Sequence, residues 1–233
     1  GAAFLDIPVG ARAVGLGSAF TSMVDDSSAL YWNPAGIGRI GFTDLMAAHN
    51  EWIADTKESF VGVAQRLHRT QVIGISYTAL YMDPLETRDD SGNQTGTFEA
   101  KSQAIGLSWA MNYSSVLSIG ATAKQIQETI DGTVANGTAM DFGFQMRPMR
   151  NVSIGASLLN VGPSMKYVNE SYSLPTSVRG GLGFSIGPLV MLAFDAKKEL
   201  TSSAGDPEFS MGMEYNMSNL SRSYFWTPVV WRV

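Results

Sequence analysis

Residues Gln103 to Tyr113 read Gln-Ala-Ile-Gly-Leu-Ser-Trp-Ala-Met-Asn-Tyr, and their alternation decides the fold class. In an extended chain successive side chains point to opposite faces, so Ile105, Leu107, Trp109, Met111 and Tyr113 share one face. Ala104, Gly106, Ser108 and Ala110 share the other. The same rule sets Ile73, Ile75, Tyr77, Ala79 and Tyr81 against Val72, Gly74, Ser76 and Thr78, and Leu117, Ile119, Ala121 and Ala123 against Ser118, Gly120, Thr122 and Lys124. Further along, Met140, Phe142, Phe144 and Met146 oppose Ala139, Asp141, Gly143 and Gln145. Val178, Leu182, Phe184 and Ile186 oppose Arg179, Gly181, Gly183 and Ser185, and Phe209, Met211, Met213 and Tyr215 oppose Ser210, Gly212 and Glu214.

Ten such segments follow one another, near 42–52, 57–67, 71–81, 99–111, 115–127, 137–147, 151–161, 174–186, 188–198 and 207–216. In a soluble sandwich the face opposite the bulky one meets bulk water and is densely charged. Here it is Gly, Ser, Thr and Ala with an occasional charge, which suits the crowded concave lumen of a barrel whose bulky face meets lipid. The composition of the 233 residues agrees: 16% are charged and 24 are Gly, with a mean hydropathy of +0.02. An ordinary soluble chain has about 25% charged residues. No run of about 18 apolar residues predicts a transmembrane helix. The absence of Cys excludes a disulfide scaffold and thiol chemistry. A net charge of −5 with two His argues against a nucleic-acid partner.

Link lengths carry the same message. Short links fall at His68-Arg69-Thr70, Asn112-Tyr113-Ser114, Pro148-Met149-Arg150, Gly187 and Met217-Ser218. Long ones run from Ile53 to Thr56, Met82 to Phe98, Glu128 to Asn136, Val161 to Ser173 and Glu199 to Asp206. Alternating short and long links predict an antiparallel up-and-down transmembrane β-barrel with turns at one end and loops at the other. Residues 1–41 do not alternate. Their small residues, in Val9-Gly-Ala-Arg-Ala-Val-Gly-Leu-Gly-Ser-Ala-Phe20, permit close packing inside the barrel as a plug. A short helix is expected over Ser27 to Trp32, capped by Asp25 or Asp26 and ended by Asn33-Pro34-Ala35-Gly36-Ile37.

The run from Phe4 to Phe20, followed by Asp25-Asp-Ser-Ser-Ala-Leu-Tyr-Trp-Asn-Pro-Ala-Gly36, resembles the N-terminal signature of the PorV/PorQ family of bacterial outer-membrane proteins, relatives of the FadL hydrophobic-compound transporters. His49 to Asp55, Thr95-Gly-Thr-Phe98 and Leu159-Asn-Val-Gly-Pro163 extend the resemblance. It implies a barrel of about fourteen strands, of which this chain supplies about ten, with Arg12, Gly15, Gly17, Asp25, Asp26, Asn33, Pro34, Ala35 and Gly36 as the plug motif. Residues 217–233 depart from the family text, Pro228 interrupts any further strand, and the chain is expected to be a fragment or to have a divergent end. No signal peptide precedes Gly1, which is expected of a mature or trimmed start.

The implied function is non-enzymatic, in the bacterial outer membrane: protein secretion of type IX kind, with exported proteins and secretion components as partners, or outer-membrane transport. The alternatives are a FadL-like channel for hydrophobic small molecules and a structural surface protein. Lys124, Asp141, Arg179 and Glu214, on the small-residue face, are the candidate lumen charges that hold the plug by ion pairs and hydrogen bonds. No catalytic set assembles, and no metal or cofactor is expected. His49 and His68 lie far apart, Gly15-Leu-Gly17 lacks the preceding strand of a dinucleotide loop, and Asp89-Asp-Ser-Gly-Asn93 lacks EF-hand spacing. Trp52, Tyr81, Trp109 and Tyr113, near strand ends, read as an interfacial girdle.

Overall fold

The computed structural model describes residues 1–51, 55–88, 91, 93–167, 170–201, 205–216 and 231–232. Trp52, most of the Asp89–Asn93 motif and nearly all of the divergent end lie outside the described residues.

Two short helices, α1 (Ala11–Gly15) and α2 (Ala29–Trp32), stand in the N-terminal segment between 3-10 turns at Ala3–Asp6 and Pro34–Arg39. The strands follow: β1 (Thr43–Glu51), β2 (Thr56–Arg66), β3 (Gln71–Met82), β4 (Leu85–Arg88), β5 (Gln94–Phe98), β6 (Ala100–Asn112), β7 (Leu117–Ile130) and β8 (Thr133–Met149). Then come β9 (Val152–Val161), β10 (Met165–Tyr167), β11 (Glu170–Tyr172), β12 (Ser177–Ile186), β13 (Val190–Glu199), β14 (Glu208–Tyr215) and β15 (Trp231–Arg232). One antiparallel sheet of 11 strands runs β1-β2-β3-β6-β7-β8-β9-β12-β13-β14-β15. The β4/β5 and β10/β11 hairpins stand apart, inside two of the long links. The ten long strands match the alternating segments of the sequence, and the fold is that of an all-β, antiparallel barrel wall.

The wall is apolar outside and polar inside. Outward residues stay exposed although they are large: Ile105 at 53%, Leu107 at 64%, Phe142 at 45%, Leu182 at 44%, Phe209 at 81% and Met211 at 76%. Soluble monomers rarely leave such a continuous apolar surface in water. Inward, Ser76, Ser108, Thr122, Asp141, Gln145, Arg179 and Glu214 are buried. The hydrophobic core proper belongs to the N-terminal segment, where Phe20, Leu30, Trp32 and Ile37 are fully covered by the sheet.

Three local expectations change. The link from Glu128 to Asn136 is a hairpin rather than a long loop, because β7 and β8 stay paired up to Ile130 and Thr133. Asp131 (φ 47°) and Gly132 (φ 75°) supply the two positive φ angles of a tight turn whose twist matches the strands. The helix is shorter than expected: it starts after Ser28, and Asp26 accepts a bond from the Ser28 amide (2.9 Å) ahead of it. Asn33 ends α2 and at once caps the next turn, accepting from the Ala35 amide at 3.2 Å with Pro34 in the first position of that turn.

The described sheet is open. β1 pairs only with β2, and β15 pairs with β14 only at Glu214 and Tyr215. Between the two edges lies α1: Gly10 approaches Met46 of β1, while Leu16 and Gly17 approach Met211 and Gly212 of β14.

Candidate functional site

The N-terminal segment threads the lumen from the loop end to the turn end. The Gly1 ammonium donates to the Ser173 carbonyl (2.9 Å) beside the β10/β11 hairpin. At the other end the Arg66 guanidinium donates to the carbonyls of Gly38 (2.7 Å) and Ile40, and Asn112 Nδ2 donates to Gly38 (2.9 Å).

Between these ends the wall is cut to fit the plug backbone. A Cβ on Gly120 would stand 2.5 Å from the Pro34 carbonyl carbon, and one on Gly143 would strike Asn33 Oδ1 and the Ala35 amide. Asn33, fully buried, donates from Nδ2 to Thr21 O (2.8 Å) within the plug and to Phe144 O (3.0 Å) of β8. Gln145 donates to Ser22 O (3.0 Å) and Val24 O (2.8 Å) and accepts from Arg39 Nε (3.2 Å). Asp195 Oδ2 accepts from the amides of Phe20 (3.1 Å) and Thr21 (2.8 Å). Interior backbone groups that no sheet or helix pairs are thus satisfied by wall side chains.

Charges fasten the plug at two places. Arg12 donates to Asp25 (2.8 Å) and to Glu214 of β14 (2.9 Å), stands 3.8 Å from Asp26, and stacks over the Phe20 ring at 5.0 Å. Arg147 approaches Asp25 at 3.5 Å. Burial works to lower the Arg12 pKa, but the attraction of Asp25 and Glu214 outweighs it and leaves it above the ordinary value. Higher up, Asp6 meets Arg179 (3.5 Å) and Lys197, and Arg179 lies 4.8 Å over the Trp32 ring. Trp32 Nε1 donates to Val9 O at 2.9 Å. A cavity of about 170 Å³ remains between Asp6, Arg179, Asp195, Lys197 and Ser210. Tyr31 is buried nearby, and that burial raises its pKa.

The structure therefore brings Arg12, Asp25, Asp26 and Glu214 into one cluster, seats Asn33, Pro34 and Ala35 against β7 and β8, and packs Gly36 on Val24 and Ala29 within the N-terminal segment. Gly17 has a positive φ of 63° against Met211 O, whereas Gly15 faces open space. Lys124 and Asp141 pair with each other (2.7 Å) and with Asn160 of β9, so they join wall to wall rather than wall to plug. Asp6, Gln145, Asp195 and Lys197 were not singled out from sequence. The inward parity of Ala193, Asp195 and Lys197 on β13 was the available signal. His49 is exposed on β1 and bonds Ser59, and among the described residues no three metal-ligating side chains converge.

These features define a class: an inside-out β-barrel wall, apolar outward, whose polar lumen is filled by its own N-terminal segment. The chain belongs to the uncharacterised protein family UPF0164, whose model matches residues 2–125. No curated protein matches the sequence. Among solved structures, the fold is similar to the CymD monoaromatic hydrocarbon channel (TM-score 0.64, 11% identity, 90% of this chain and 80% of that one). It is also similar to the Pseudomonas putida toluene transporter TodX (0.62, 12%, 94% and 77%) and to a Pseudomonas aeruginosa FadL homologue (0.64, 9%, 91% and 78%).

Proposed function

We propose that this chain is a non-enzymatic outer-membrane barrel that passes small hydrophobic molecules, neutral monoaromatics among them, by displacement of residues 1–41. The single observation that carries the reading is the polarity of the wall: exposed Ile, Leu, Phe and Met outside, a buried plug held by side chains inside. Likeness to solved hydrocarbon channels supports the same reading. Lipid is the outer partner, and the short turns face the periplasm. Because the lumen is filled, passage requires the plug to move, and Arg12, Asp6 and Asn33 are the contacts that must yield.

The chain has no Cys, so a tether can be added cleanly. A Cβ on Gly1 would lie 3.6 Å from Met165 Cβ, within disulfide reach. In vesicles holding the full chain, labelled toluene should enter faster than into empty vesicles. Oxidised Gly1→Cys/Met165→Cys should abolish the difference, and reductant should restore it. Uptake indifferent to the tether, or no insertion into vesicles at all, overturns the proposal. The PorV/PorQ-like signature at Phe4 to Gly36 supports a second reading, capture of exported proteins. Retention of exported C-terminal domains by the detergent-solubilised chain, with no toluene uptake, would select it.

A further inference from the structure

The two ends of the barrel differ in charge. The long links of the loop end carry Asp83, Glu86, Glu99, Asp131, Glu170 and Asp206 against the cations Arg88 and Lys166, and Lys57, Lys101 and Lys198 stand on the strand ends beside them. The short turns at 67–70, 113–116, 150–151 and 187–189 carry Arg69 and Arg150 with His68, and no acidic residue. Both arginines are exposed, and neither side chain has a partner among the described residues. The other arginines at this end are engaged: Arg66 with plug carbonyls, Arg39 with Gln145, Arg147 with Asp25. In the turns or at the strand ends beside them stand exposed apolar residues, Phe42 at 86%, Leu67 at 60%, Tyr113 at 72%, Met149 at 65% and Ile186 at 59%, which form an apolar ring at this end.

From this arrangement we infer that the turn end is a docking surface for anionic phospholipid headgroups of the facing leaflet. The inference rests on the membrane reading above. The apolar ring marks the edge of the hydrocarbon, and turns of two to four residues cannot carry Arg69 and Arg150 far beyond it. They therefore lie within the headgroup layer, about 5–7 Å deep. A guanidinium there bonds a lipid phosphate bidentately while its stem stays on apolar surface. Charge complementarity selects the anionic lipid, because the local field is positive although the whole chain carries −5.

The test adds short-chain phosphatidylglycerol or phosphatidylcholine to the full chain in neutral detergent and counts bound lipid by native mass spectrometry. Phosphatidylglycerol should bind in preference, by roughly fivefold for each free arginine at low salt. Arg69→Gln/Arg150→Gln should lose roughly twentyfold, and high salt should weaken binding likewise. Lys166→Gln, at the opposite end, should change nothing. Equal binding of the two lipids, an unchanged double variant, or displacement by inorganic phosphate as effectively as by lipid each overturns the inference. Any of these can occur with a barrel that still inserts into neutral vesicles, whereas failure to insert into vesicles of any composition defeats the membrane reading itself.

Discussion

Arg12 gathers carboxylates from the plug and from β14 at a site where its own side chain is 15% exposed and that of Glu214 is 8% exposed. Removing one member of such a buried pair costs about 3 kcal/mol, because the remaining charge keeps its desolvation penalty. Arg12→Gln should therefore lower the denaturant midpoint of the refolded barrel, while Lys57→Gln, in the exposed pair with Asp83, should leave it nearly unchanged. Asn33 offers a sharper test of chemistry at constant shape. Asn33→Asp replaces the amide that donates to Thr21 O and Phe144 O with an acceptor facing two acceptors, in a fully buried place. A loss of about 2–4 kcal/mol is expected. Gly120→Val should be at least as damaging, since the wall cannot retreat from the Pro34 backbone.

At the scale of elements, the long strands were legible because period-2 alternation is a local property and survives any tertiary arrangement. The turn between β7 and β8 was just as local. Asp131-Gly132 is a strong hairpin signal, masked by the polar text around it. Gly132→Val places a β-branched residue at φ 75° and should cost about 1–2 kcal/mol locally. Amide exchange should quicken across 126–137 and remain unchanged in β12 and β13. The plug was less legible. Its helices are four and five residues long, too short for periodicity to register, and they exist because the wall supplies their partners. The sequence marked Asn33-Pro34 as an ending. That Asn33 also begins the next turn and bonds β8 required the lumen around it.

For the whole molecule, the N-terminal segment is the core and, on the proposed function, also the obstruction, with its upper end on the β10/β11 hairpin and its lower end on the short turns. A second tether separates these roles. A Cβ on Gly38 would lie 3.4 Å from Ser118 Cβ, so Gly38→Cys/Ser118→Cys can fasten the lower end to β7. If entry from the loop end moves only the upper plug, this tether should leave toluene binding intact and block release. The Gly1→Cys/Met165→Cys tether should block both. Stopped-flow binding and vesicle uptake, measured on the same preparations with and without reductant, distinguish the two.

The sequence by itself determined the ten long strands, their approximate bounds and their two faces. All of these follow from side-chain size repeating along a chain whose geometry is fixed by the backbone. Tertiary structure alone decided the pairings inside. Arg12 chose Glu214, 202 positions away, and Asp6 chose Lys197, while Lys124 turned to Asp141 and Asn160 instead of the plug. Alternation says that a charge points inward but is silent about which charge stands opposite, because that depends on how the sheet curves around what it encloses.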